Sequence, residues 1–329
     1  MNASVLATGW HVPDEIIPNS FFDDGKPWYF YDGNGNRLPG KETLLTDEKI
    51  RAISGVRERR KCAPGEYGHH LVAKAATAAL SRAGLCATDL DGIIVATVTA
   101  QTNFPSCATC VQESLGATNV RTAFDIANAC AGFPLALDIA KHAVLATGQT
   151  YLVAGVETLT RIVDYAGRDV NANLFGDGAG VAIVGPGDRG ILAYAGRSDP
   201  TDGRLTFITR DGNGRVRMPN GPGVFRNAVR SMGRVTDELL GMMVWEKRDV
   251  DLYVYHQANQ RILDGVASAL ALDPERVGNN IARYGNMSAA ACPVLLAQSV
   301  EEGRVGPGSR VIMVSFGAGL VTSGVALRL

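Results

Sequence analysis

The chain has 329 residues, 46% of them hydrophobic, and a formal net charge of −1 from 32 basic and 33 acidic side chains. That length suits two ordinary domains or one duplicated unit with a large core, and the near-neutral balance excludes a whole-chain attraction to nucleic acid or to a membrane surface. No apolar run reaches the roughly 18 residues of a spanning segment and the start lacks a leader pattern, so a cytoplasmic protein is expected, its six cysteines being free thiols.

In chain order, residues 21–40 place aromatic stretches around Trp28 and Tyr31 on either side of Asp32-Gly-Asn-Gly, which reads as a tight turn between extended segments. Two readings stand: a flap near a substrate entrance, or a surface hairpin whose aromatics pack on the body. The second is preferred, because aromatics so often supply buried area. Residues 89–97 form an acidic loop running into a fully apolar, β-branched strand. Cys107-x-x-Cys110 lies in a segment with helical character, 106–115, and has no second metal-ligand pair, so no metal site is expected.

Residues 124–129 read as a strand that breaks at Cys130 directly into a helix over 130–146, followed by an apolar strand at 150–156. The second half repeats the outline. An acidic loop and strand at 249–257 lead on to a turn at Gly285-Asn286-Met287-Ser288, a helix over 289–302 and a strand at 309–315. The alternation predicts an α/β protein with mainly parallel sheets in two pseudo-symmetric halves, 1–186 and 187–329. Both helices are apolar nearly all round and rich in alanine, which suits an interior position between two sheets.

A thiol at a helix start is expected to have a lowered pKa, because first-turn N–H groups and the helix dipole favour thiolate. Cys130 is therefore a candidate nucleophile, with core filling as the plain alternative. His256 follows a strand without a break, at the carboxyl end where open α/β sheets place their crevice; a structural imidazole is the alternative. Asn286, otherwise a turn residue, is set by the repeat near the position that Cys130 holds in the first half. The three are expected to converge on one cavity.

Ala129-Cys130-Ala-Gly-Phe133, Phe175-Gly-Asp-Gly-Ala-Gly180, His256-Gln-Ala-Asn-Gln-Arg261, Tyr284-Gly-Asn286-Met-Ser-Ala-Ala290 and Phe316-Gly-Ala-Gly319 occur in the order and approximate spacing of β-ketoacyl-ACP synthase III. From about Val56 onward the chain resembles that group of thiolase-fold condensing enzymes. The resemblance implies the five-layered αβαβα fold and an acyltransferase in which Cys130 takes an acyl group from a thioester. A malonyl-carrier thioester is then decarboxylated against His256 and Asn286. Backbone N–H groups of Cys130 and Ala318 would form an oxyanion hole. The chemistry suits these types: a soft nucleophile for acyl transfer, and neutral donors for an enolate oxygen.

The resemblance also implies a homodimer in which the Phe104 loop reaches the partner's acyl pocket. An acyl carrier protein or its phosphopantetheine would be met by Arg226, Arg230, Arg234, Arg261 and Asn259, the plain alternative being a solvated charged face. No cofactor or metal is implied; acyl-CoA or acyl-ACP and malonyl-ACP or malonyl-CoA are substrates. Lys49 and Ile53 stand where the group has an aromatic and arginine clamp on the adenine of coenzyme A. That departure favours a carrier-protein donor and, with the long 21–40 segment, specialised over primary biosynthesis. A thiolase-fold acyltransferase forming an ester or amide without decarboxylation is the alternative; an acid at position 286 would suit it, and an amide does not.

Overall fold

The computed structural model describes residues 2–200 and 208–329. Strand β1 (Asn2–His11) is followed by β2 (Glu15–Pro18), β3 (Trp28–Tyr31), β4 (Arg37–Thr43), helix α1 (Asp47–Ser54) and β5 (Glu58–Lys61). Here β2 pairs with β5 and β3 with β4, giving two small ribbons beside the main body. The first half continues through α2 (Gly68–Ala83), β6 (Gly92–Ala96), α3 (Cys107–Leu115), β7 (Thr122–Ile126), α4 (Gly132–Thr147), β8 (Tyr151–Thr158) and β9 (Asp177–Gly187). The second half holds β10 (Gly190–Ser198), β11 (Thr209–Arg210), β12 (Val216–Arg217), α5 (Gly221–Met243), β13 (Leu252–Tyr255), α6 (Gln260–Ala269), α7 (Ile281–Tyr284), α8 (Ala291–Glu301), β14 (Arg310–Gly317) and β15 (Val321–Arg328).

The five-stranded sheet has the order β1-β9-β8-β6-β7 and the four-stranded sheet the order β10-β15-β14-β13. Alternate residues along each strand serve different cores, as the two-residue strand period requires. Ile94, Val153 and Val184 of the first sheet face Val254, Met313 and Val325 of the second across a shared core that contains Leu137 and Leu296 of the central helices. Ile93, Val95, Leu152 and Val181 face outward onto α2 and α3. Tyr253, Tyr255, Ile312 and Val314 face outward onto α5 and α6. Helix pair, sheet, helix pair, sheet, helix pair gives the expected five layers.

The sheets are mixed instead of mainly parallel. β6 runs parallel to β7 and β8, and β13 parallel to β14, but β9 is antiparallel to both β8 and β1, and β15 to both β14 and β10. A short connection such as 318–320 can only return the chain antiparallel, whereas parallel neighbours need a helical crossover. Among the described residues, the second sheet lacks a full counterpart of β7. What remains is a single parallel bridge between Tyr253 and Val277, with the Gly278 N–H donating to the Tyr253 carbonyl at 2.9 Å. The stretch from Ala129 to Thr147 is long and apolar enough to cross a membrane by length and composition, yet it packs against strands of both sheets. Asp138, Lys141 and His142 interrupt its apolar run, which is why counting consecutive apolar residues passes over it.

The β3–β4 ribbon is an aromatic hairpin, as its turn residues predict. Trp28 is buried against Phe22, and its indole N–H donates to the Phe22 carbonyl at 2.9 Å. The ribbon is fixed to the body through Arg217, whose buried guanidinium reaches Asp164 at 2.9 Å, Asp169 at 2.7 Å and Asp211 at 2.8 Å while lying over the Tyr31 ring. Removing one partner of a buried ionic cluster leaves the others uncompensated. Arg217→Ala is therefore expected to lower unfolding stability by about 3–5 kcal/mol, read as a shifted chemical-denaturation midpoint.

Candidate active site

Strand β7 ends at Ile126, so the chain does not break directly from strand to nucleophile; residues 127–128 intervene, and Cys130 sits in the 3-10 turn Ala129–Ala131 that leads into α4. The second half has the matching turn Ser288–Ala290 before α8. Ala129 and Ser288 both adopt φ 45°, an uncommon value for non-glycine residues, and they mark equivalent positions. The repeat thus pairs Cys130 with Ala289, and Asn286 with Ala127. Asn286 therefore lies near the counterpart of Cys130, three residues upstream of it.

Even so, Cys130, His256, Asn286 and Ala318 all line one cavity of about 1120 Å³. His256 leaves the end of β13 with its backbone N–H donating to the Val314 carbonyl at 3.0 Å. Its imidazole is buried, and Nδ1 has no hydrogen-bond partner among the described residues. Burial pushes its pKa down to about 3, so the ring is neutral at physiological pH.

Asn286 is clamped by the glycine motif of the first half. Its N–H donates to the Leu174 carbonyl at 2.8 Å, and its carbonyl accepts from the Gly176 N–H at 3.0 Å. A Cβ at Gly176 would stand 2.4 Å from the Tyr284 carbonyl oxygen, and Gly285 combines φ +63° with a 2.6 Å approach to the Leu174 oxygen. Neither position admits a side chain. Within this clamp the Ser288 N–H donates to Asn286 Oδ1 at 2.8 Å, and Nδ2 makes no hydrogen bond among the described residues. The Phe-Gly-Asp-Gly-Ala-Gly run is thus a device for holding the Asn286 loop.

The thiol differs from expectation. Burial pushes the Cys130 pKa up to about 12, against the lowering influence of the Ser288 hydroxyl, and the buried charge of Glu157 adds to the rise. Desolvation of the sulfur outweighs the helix-start effect. Cys130 therefore rests as a thiol near neutral pH. Sequence reading missed both neighbours. Glu157 closes the apolar run of β8 at its carboxyl end, and Ser288 lines the cavity. A lone carboxylate ending an all-apolar strand was the available signal.

The remaining candidates separate. Arg226, Arg261 and Asn259 line the cavity with Lys49 and Ile53, whereas Arg230 and Arg234 lie exposed on α5 outside it. The Asn259 side chain caps α6 by accepting from the Arg261 N–H at 2.9 Å, and the Arg261 guanidinium donates to the Ala52 carbonyl at 3.0 Å, joining α6 to α1. Lys49 donates to Thr43 of the hairpin, and Phe30, Glu42 and Thr43 line the cavity. The 21–40 hairpin thus packs on the body through Trp28, and its Phe30, with Glu42 and Thr43 just beyond the segment, also forms part of the cavity wall. Phe104 is 87% exposed and lines no part of this cavity. Cys107 is buried at the start of α3, where its N–H donates to Asp125 at 2.7 Å, and no group of metal-ligating side chains occurs among the described residues.

Two sheets with a shared central helix layer and a cavity built from both halves are the thiolase architecture. Residues 124–200 match the family described as 3-oxoacyl-[acyl-carrier-protein (ACP)] synthase III, and residues 242–329 match its C-terminal family. The chain is 37% identical over 332 residues to a β-ketoacyl-[acyl-carrier-protein] synthase III of Listeria innocua, covering 100% of this chain and 99% of that protein. Its structure resembles that of 3-oxoacyl-[acyl-carrier-protein] synthase III from Aquifex aeolicus, with a TM-score of 0.88, 34% identity, and 99% and 100% of the two chains covered. It also resembles the priming β-ketosynthase of the R1128 polyketide pathway, with a TM-score of 0.87, 31% identity, and 100% and 96% covered. The chain belongs to the β-ketoacyl-[acyl-carrier-protein] synthase III family.

Proposed function

We propose that this protein primes chain assembly by decarboxylative condensation. Cys130 accepts an acyl group from a thioester, and a malonyl-carrier thioester then loses CO₂ to give an enolate that attacks the acyl-cysteine. The observation that carries this reading is the common cavity of Cys130, His256 and Asn286, three side chains from three separated segments. Neutral His256 donates from Nε2–H, and Asn286 from Nδ2, to the enolate oxygen; donors aimed where charge develops stabilise the transition state. The N–H groups of Cys130 and Ala318 receive the second oxyanion, on the acyl carbonyl. The thioesters are substrates, and the chemistry calls for no cofactor or metal.

Acyl carrier protein is the proposed partner, with Arg226 and Arg261 at the cavity meeting the pantetheine arm and Arg230 and Arg234 meeting an acidic helix. Lys49 and Ile53 offer no aromatic face for adenine, which favours a carrier-protein donor over acyl-CoA. A homodimer through the outer edge of β7 completes the reading. Among the described residues that strand is paired only with β6, half-exposed from Ala123 to Ile126, and it follows the exposed Phe104 loop in sequence.

The test is to incubate the protein with a panel of acyl-CoA and acyl-ACP donors and a malonyl thioester, and to follow CO₂ and product mass. Condensation releases one CO₂ for each β-keto product. Acyl transfer to an alcohol or amine without CO₂ would replace this reading with the acyltransferase alternative.

A further inference from the structure

Glu157 is a carboxylate that the condensation so far described leaves idle. It is fully buried, and among the described residues its hydrogen bonds all come from neutral donors: the Thr99 hydroxyl at 2.6 Å, the Ser288 hydroxyl at 3.1 Å, the Val98 N–H at 3.2 Å and the Thr97 hydroxyl at 3.4 Å. Burying a carboxylate without a cation is costly, so an unpaired one held just behind Ser288 of the cavity wall calls for a reason. Ser288 supplies the connection. Its hydroxyl donates to Glu157 Oε1 at 3.1 Å, and Ser288 lines the same cavity as Cys130. The pseudo-symmetry brings this about, because the turns Ala129–Ala131 and Ser288–Ala290 pack on one another, and the second also packs on β8.

We propose that Glu157 is the proton acceptor for Cys130, acting through the Ser288 hydroxyl. As the new sulfur–carbon bond forms at the acyl carbonyl, the Cys130 S–H proton passes to Ser288 Oγ, and the Ser288 O–H proton passes to Glu157 Oε1. When the tetrahedral adduct collapses and the bond to the carrier sulfur breaks, the Ser288 O–H proton passes to that departing sulfur, Glu157 returns its proton to Ser288 Oγ, and the carrier leaves as a thiol. Glu157 ends as the carboxylate it began as, so no co-reactant is required.

His256 is poorly suited to this duty, since burial holds it near 3, whereas burial raises Glu157 to about 7. Among the described residues, the Cys130 thiol and the Cys107 thiol of α3 feel the charge of Glu157, and both are raised far above neutrality by burial. They stay protonated while Glu157 titrates. Below about pH 7 the carboxyl is protonated and accepts nothing, so Cys130 reactivity falls toward acid. Above that pH, one proton is shared across the relay and reactivity is level until the thiol itself ionises.

The acylation step rests on the condensing-enzyme reading, but alkylation of Cys130 by iodoacetamide needs no acyl donor and tests the relay separately. Full-length protein is alkylated across pH, and the Cys130 peptide is followed by mass spectrometry. The wild type is expected to show a break near pH 7 with a plateau above it. Glu157→Gln is expected to be slower by roughly tenfold or more at neutral pH, its rate climbing steadily with pH and showing no break. Ser288→Ala, which leaves Glu157 its Thr99 and Val98 donors, is expected to behave the same way, and it decides alone if the Gln variant does not fold. A break retained in these variants, or alkylation within about twofold of wild type at neutral pH, overturns the proposal. A normal relay in a protein that releases no CO₂ would instead overturn the condensation reading.

Discussion

Cys130→Ala is expected to abolish acyl-enzyme formation and to lower condensation by about 10⁴-fold or more, the scale seen when a covalent nucleophile is removed. The substitution is mild in structural terms. The backbone of the turn keeps its N–H, and the Ser315 hydroxyl can still donate to the residue 130 carbonyl, a bond of 2.6 Å in the wild type. The lost group is a sulfur that opens onto the cavity, so the void left behind merges with space that is already present. Intact-protein mass after incubation with acyl donors reads the outcome directly. Decarboxylation of a malonyl thioester should survive in part, since His256 and Asn286 remain. An acyl adduct on the Ala variant would show that the acyl group is carried elsewhere and that Cys130 is a core residue.

The same cysteine shows where sequence reading succeeds and where it stops. Its place at a helix start, the carboxyl-end position of His256, and the repeated strand-and-helix outline were all legible, because each rests on local pattern and on the two-residue and 3.6-residue periods. What the pattern does not carry is the environment. The helix start argues for a lowered thiol pKa, and desolvation, which depends on residues brought from elsewhere in the chain, reverses the sign.

Asn286 was legible as a residue near the counterpart of Cys130, but the three-residue offset between them shows only once Ala129 and Ser288 are seen to share φ 45°. Glu157 escaped notice because its meaning lies in Ser288, from the other half of the chain, and that contact exists only once the two 3-10 turns meet. For the 21–40 segment, turn chemistry predicted the hairpin. Whether its residues reach the cavity depends on how Arg217 anchors it to three aspartates from two other loops.

Asn286→Asp carries the second large effect, a loss of about 10²–10³-fold or more in condensation with acyl-enzyme formation retained. The two side chains have the same shape, so the clamp between Leu174 and Gly176 is undisturbed. One carboxylate oxygen of Asp can accept the Ser288 N–H, as Asn286 Oδ1 does at 2.8 Å. With that oxygen fixed, the second carboxylate oxygen must occupy the place of Nδ2. A donor to the enolate then becomes an acceptor bearing negative charge, and the developing oxyanion meets repulsion where it had a hydrogen bond. His256→Ala removes the other donor, and a loss of similar size is expected. Because the imidazole is neutral down to about pH 3, the wild-type decarboxylation step should not weaken through protonation of His256 in mildly acidic buffer. Single-turnover assays that begin from the isolated acyl-enzyme separate this step from acylation. If Asn286→Asp condenses at the wild-type rate from that intermediate, the carboxamide is a turn residue and the enolate is stabilised by other groups.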